Sequence, residues 1–165
     1  MELNDVSYSW PKKPLALVCI DGGDPEYLQA GLRDGIIPNI ARFMEEGFYQ
    51  VAKGSMPSFT CPNNMSIVTG TEPKIHGISG NFFIDPKSKE PVVMTGPELL
   101  RSRSILGEFS REGAVVVSIT AKDKLRKQLQ KGMDLSSGSV SFSSQHADKC
   151  TMDENGIENV LEFVG

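Results

Sequence analysis

The sequence predicts an α/β fold, a mainly parallel sheet flanked by helices, and three observations carry that prediction. Residues 15–20 (LALVCI) and 114–120 (AVVVSIT) are short continuous apolar runs, the pattern of strands buried on both faces. Between them lie segments with apolar residues at helical spacing. The resulting order of strand, helix, strand, helix, strand is that of a chain crossing over between parallel strands.

The run 15–20 is closed by Asp21-Gly22-Gly23-Asp24-Pro25, a turn signal. Residues 25–32 and 38–46 read as helices with proline at a starting position. The second carries Ile40, Phe43 and Met44 on one face and stops at Gly47. Residues 48–52 offer a further strand. Residues 55–64 (SMPSFTCPNN) must begin as a loop, and apolar character resumes at 65–68 before Gly70. A short helix over 62–69 is expected there, with Thr60 or Cys61 just ahead of its first turn.

Residues 77–89 read as irregular, broken at Gly77, Gly80 and Asp85-Pro86, before strand-like residues 91–94. A helix is expected over 98–112, through Leu99, Leu100, Ile105, Leu106 and Phe109, with Gly113 as its stop. After the strand 114–120 come a basic segment at 122–131, a Ser/Gly stretch at 136–144 and a last helix from 153 to about 163.

With 165 residues the chain is long enough for one domain with its own core. Its net charge of −4, from 17 basic and 21 acidic residues, gives no basic field to hold a nucleic acid. No run approaches the ~20 apolar residues of a membrane span, and residues 1–13 lack the basic start and apolar stretch of a signal peptide. A cytoplasmic location is the default expectation. Cys19, Cys61 and Cys150 are odd in number, far apart and outside any CxxC pair, so reduced thiols are expected, Cys19 as a small buried residue.

Two positions invite chemistry. Asp21 follows the first apolar run, where α/β sheets present ligand-binding groups, and reads either as a metal ligand or as an Asp closing its own turn. Thr60 stands at a predicted helix start, where unpaired N–H groups and the helix dipole favour an anionic oxygen. It reads either as a nucleophile or as an ordinary cap.

Taken together, these positions sit in a longer pattern. Asp21-Gly22, then residues 60–70 (TCPNNMSIVTG), then Pro73, His76-Gly77-Ile78 and Asn81, resembles the signature of the alkaline phosphatase superfamily, in its nucleotide pyrophosphatase/phosphodiesterase branch. The resemblance implies an alkaline phosphatase-like core with two zinc ions. Asp21 would be a ligand of one, Thr60 both the attacking group and a ligand of the other, and Asn81 a donor to a phosphoryl oxygen. Zinc lowers the pKa of a hydroxyl, and an amide donor stabilises growing charge on phosphoryl oxygens, so the residue types suit those roles.

Within the branch, residues 56–70 (MPSFTCPNNMSIVTG), 76–83 (HGISGNFF) and 119–125 (ITAKDKL) most resemble the phosphonoacetate hydrolases. By that resemblance Lys122 and Lys124 would hold the carboxylate and phosphonate of a small phosphonate substrate. The implied reaction cleaves a carbon–phosphorus bond to give acetate and phosphate. The alternative for these lysines is a solvated helix face shared with Arg126, Lys127 and Lys131. His76 is expected to be structural, and His146 has no partner motif. Cys61 does not start the sulfatase pattern C-x-P-x-R, because Pro62 follows it directly.

Members of this superfamily draw several Asp and His zinc ligands from later in their chains, and this sequence holds two histidines in all. Residues 1–165 are therefore expected to be the N-terminal part of such a catalytic domain, inactive alone. A homodimer is compatible with this reading. A phosphodiesterase or nucleotide pyrophosphatase of the same branch, and a non-catalytic module that has lost its metal ligands, are the competing readings.

Overall fold

The computed structural model describes residues 1–164, which fall into two units: residues 1–10 with 55–164, and residues 11–54. The first unit opens on a small antiparallel hairpin, β1 (Glu2–Leu3) and β2 (Val6–Ser7). Leu3 is buried, and the turn residue Asn4 donates from Nδ2 to the carbonyls of Thr69 (2.7 Å) and Arg103 (2.9 Å).

The unit 11–54 contains two helices, α1 (Pro25–Arg33) and α2 (Pro38–Glu46). Asp24 caps α1 by accepting from the Glu26 N–H at 2.8 Å, and both helices carry proline in the first turn, as their sequences predict. The expected strand over 15–20 does not form, and its side chains are exposed, Leu15 at 86% and Val18 at 81%. Cys19, expected to be buried, is exposed with them. Residues 48–52 form no strand either. A buried parallel strand needs a ladder partner, and among the described residues of this unit none is a strand.

The remainder of the first unit is α3 (Thr60–Thr69), α4 (Pro73–His76), the hairpin β3 (Phe82–Ile84) and β4 (Pro91–Val93), α5 (Ile105–Arg111), β5 (Val117–Thr120), α6 (Asp123–Gln130), β6 (Val140–Ser143), α7 (Met152–Asn155) and α8 (Val160–Val164). The chain thus mixes helices with strands, and the β5–β6 pair is parallel while the two hairpins are antiparallel. Its core gathers Cys61, Met65 and Val68 of α3 with Ile78, Met94, Leu100 and Leu129, so the helix that begins at Thr60 is anchored on one apolar cluster with α6.

Several elements differ from expectation. The hairpin 82–84/91–93 replaces an irregular excursion: Asp85 Oδ1 accepts from the backbone of Lys87 (2.8 Å) and Ser88 (2.7 Å), folding the turn that joins its strands. The helix expected over 98–112 shrinks to α5. The Arg101 backbone donates to His76 O at 2.9 Å, and Ser104 Oγ caps α5 by accepting from Gly107 N at 3.1 Å. The Ser/Gly stretch contains β6, and the last helix is split into α7 and α8 at Gly156, which has φ of 69°.

The β5–β6 pair has an unusual polarity. Ser118, Thr120, Ser141 and Ser143 point inward and are buried, while Val117 and Ile119 point outward at 57% and 63% exposure. Beside this layer Ser139 Oγ accepts from Val116 N at 3.1 Å, and Asn155 Nδ2 donates to the backbone carbonyl of Ser141 at 2.7 Å.

Candidate active site

Thr60 is the first residue of α3, two residues earlier than the helix start expected from sequence. The approach is fixed by Asn63, whose Oδ1 accepts from the Ser55 backbone at 3.1 Å, and by Asn64, whose Nδ2 donates to Thr60 O at 2.9 Å. Cys61 and Met65, fully buried, hold the helix from below. The positive end of a ten-residue helix therefore lies at Thr60, a setting that stabilises negative charge on an oxygen.

Asn81 begins the run into β3, and its backbone carbonyl accepts from Met94 N at 2.9 Å, which ties it to the end of β4. Lys122 and Lys124 flank the start of α6, directly after β5: Lys122 is the N-cap residue, and Lys124 is the second residue of the helix. Thr120 Oγ1 donates to Lys122 O at 3.0 Å, and the Asp123 N–H donates to Gln145 Oε1 at 3.0 Å, so this helix start is held by side chains of β5 and of the segment after β6.

The two segments meet. Lys124 Nζ donates to Asn81 Oδ1 at 3.4 Å across 43 residues of sequence. With the amide oxygen turned to the ammonium, the Asn81 N–H donors face away from it. The pair thus offers a positive charge and an amide donor side by side, a combination suited to anionic oxygens.

Beneath Lys124, Asp123 accepts from Arg126 Nε at 2.5 Å and lies 3.2 Å from Lys127 Nζ. Burial alone would raise the Asp123 pKa, yet the hydrogen bonds from Arg126 and Lys127 outweigh it and hold the carboxyl below its ordinary value. Arg126 and Lys127 are consequently engaged with Asp123, unlike Lys122 and Lys124.

Asp21 belongs to the unit 11–54, in the turn after residues 15–20, where Gly22 has φ of 71° and Gly23 N donates to Ile20 O at 3.1 Å. Among the described residues no group of three or more His, Cys, Asp or Glu is placed to hold a metal ion. A zinc site needs about three protein ligands or more per metal, so this donor set does not complete one. His76, fully buried, contacts Ser66 and the Ile78 backbone, while His146 lies in the polar segment after β6. Neither residue type nor spacing in the sequence signals the Asn81–Lys124 or His76–Ser66 contacts.

Residues 15–138 match the family model of type I phosphodiesterase / nucleotide pyrophosphatase. The chain belongs to that family. Within the phosphodiesterase family it is 35% identical over 83 residues to an uncharacterized pyrophosphatase/phosphodiesterase of Schizosaccharomyces pombe, covering 50% of this chain and 16% of that protein. It is 40% identical over 75 residues to ectonucleotide pyrophosphatase/phosphodiesterase family member 1 of Mus musculus, covering 45% of this chain and 8% of that one. The structure resembles phosphonoacetate hydrolase from Sinorhizobium meliloti in complex with phosphonoacetate, with a TM-score of 0.95 and 42% identity over 99% of this chain and 40% of that chain. The same enzyme in complex with phosphonoformate matches with a TM-score of 0.95 at 43% identity, again over 40% of its length. The architecture is therefore alkaline phosphatase-like, and the chain spans well under half the length of these relatives.

Proposed function

We propose that this chain supplies the nucleophile and substrate-binding half of a phosphonoacetate hydrolase. Thr60 attacks phosphorus, and the phosphonate oxygens are held by Asn81 and the two lysines. The observation that carries the reading is the Asn81–Lys124 contact, made in a chain that superimposes on a phosphonoacetate hydrolase at 42% identity. A threonine hydroxyl is a weak nucleophile, and its place at the positive end of α3 favours the charge it develops as it attacks.

The leaving group of a carbon–phosphorus cleavage is a carbanion equivalent, stable only when an adjacent carboxylate spreads its charge. A lysine beside that carboxylate meets the developing charge, and Lys122 and Lys124 are the cations at hand in this part of the chain. Asp21 and Thr60 would be this chain's share of a two-zinc centre whose remaining ligands lie elsewhere. The reading carries with it a small phosphonate partner and a cytoplasmic location.

The test is phosphate release from phosphonoacetate by the whole protein that contains this chain. Turnover lost by at least about 1,000-fold in Thr60→Ala supports the reading, since removal of a nucleophile eliminates the covalent route. Turnover retained by that variant would exclude it. The names of the sequence relatives favour a second reading, a phosphodiesterase or pyrophosphatase. Cleavage of bis(p-nitrophenyl) phosphate, with none of phosphonoacetate and no effect of Lys122→Ala or Lys124→Ala, would select it.

A further inference from the structure

Ser66 lies on α3, the helix that begins at Thr60, and its Oγ is 3.0 Å from Nε2 of His76. Nδ1 of the same ring accepts the Ile78 N–H at 3.1 Å. A ring nitrogen that accepts a hydrogen bond carries no proton, so the neutral imidazole holds its proton on Nε2 and directs it to α3, where Ser66 Oγ and the Pro62 backbone are its partners. The contact has the composition of a Ser–His dyad and the opposite polarity. The basic lone pair faces the Ile78 backbone, and His76 is not placed to take a proton from Ser66.

The imidazole is thus a directional link between two segments. One is α3; the other is the loop 77–81, which ends at Asn81 and whose Ile78 packs in the core with Cys61 and Met65. The loop is also clamped from outside, where Arg101 donates from Nε to Ile75 O (3.2 Å) and from Nη2 to Lys74 O (2.6 Å). Burial disfavours charge on the ring and outweighs a backbone hydrogen bond with Pro62 that favours it, while the neighbouring Arg101 adds a smaller effect in the direction of burial.

We propose that His76 is a positioning residue that fixes the start of α3 relative to the loop 77–81, so that Thr60 and Asn81 address one phosphoryl group. The inference rests on the roles given above to Thr60 and Asn81. Its energetic logic is that of preorganisation: an error near 1 Å in a reacting group costs roughly 100-fold in rate, while ground-state binding through the lysines changes little.

Two measurements test it. In long-range ¹H–¹⁵N spectra, where the chain's two histidines give two ring systems, His76 is expected as the Nε2–H tautomer, titrating at lower pH than an ordinary histidine. An Nδ1–H tautomer would overturn the proposal. In the whole protein, with phosphonoacetate as the probe, His76→Asn keeps an acceptor for Ile78 and loses the donor to Ser66. It is expected to lower kcat by roughly 10- to 100-fold with KM little changed. His76→Gln, whose longer amide can donate toward Ser66, is expected to recover part of that loss, and Ser66→Ala to reproduce it in a milder substitution. Unchanged kcat in Ser66→Ala and His76→Asn, with only a lowered unfolding midpoint, would reduce His76 to a structural role. Thr60→Ala measured alongside separates the two ideas: if it abolishes turnover while the His76 variants do not affect it, the positioning role alone fails, and if it leaves turnover intact both fail.

Discussion

His76 and Gly77 sit at the turn that leads from α4 toward Asn81, and each is held by contacts that a substitution would break. Gly77 has φ of 88°, and a Cβ built there would lie 2.3 Å from the Leu99 carbonyl oxygen. Gly77→Ala is therefore expected to destabilise the fold by more than about 1 kcal/mol, read from denaturant unfolding, because strain and overlap act together. His76 makes a pH-dependent contribution. Its folded pKa lies below the ordinary 6.5, chiefly through burial. The unfolded state consequently takes up the proton first as pH falls. The contribution is complete above 6.5 and is lost as pH drops through the folded value, at no more than about 1.4 kcal/mol per pH unit. Unfolding free energy followed against pH should show that loss in the native chain and lack it in His76→Gln. The motif singled out Thr60, Asn81 and both lysines as candidates in the sequence. That Asn81 meets Lys124 was not legible, since periodicity and turn chemistry report neighbours along a helix or strand and not a pair 43 residues apart.

Among the elements, α6 is the one on which the lysines depend. The Arg126 side chain is 6% exposed and that of Asp123 15%, so Asp123→Ala leaves a buried guanidinium without its counter-charge. A loss of about 3 kcal/mol is expected in thermal or denaturant unfolding as the start of the helix loosens. The helices α1 and α2 were readable because proline, capping and apolar spacing agreed, and α2 runs Pro38–Glu46 as the pattern indicates. The strand β6 was hidden for a physical reason. Its VSFS alternation has the strand period, but the hydroxyls and not the apolar side chains face inward, so the serines read as a loop. The helix expected over 98–112 fails in its first half because Arg101 bonds to the His76 segment with both backbone and side chain. Tertiary contacts there override a favourable local pattern.

Across the whole molecule, the outward face of β5 explains an expected behaviour in solution. Val117 and Ile119 on β5, and Val115 just ahead of it, are each more than half exposed, and adjacent apolar side chains of this kind recruit other apolar surfaces. The chain should bind a fluorescent apolar dye such as anilinonaphthalene sulfonate, and Val117→Lys should reduce the signal by roughly half while the unfolding midpoint changes little. The division of the sequence bears on how the chain is made. Residues 1–10 fold with 55–164, and residues 11–54 form a unit of their own between them in sequence. The complete inner unit is therefore synthesised before the segments on which the β1–β2 hairpin docks. Asn4 must wait for Thr69, 65 residues later, and for Arg103, 99 residues later. Long-range closures of this kind slow folding, so the β1–β2 hairpin, made well before both of its docking partners, is among the last parts of this chain to find its place.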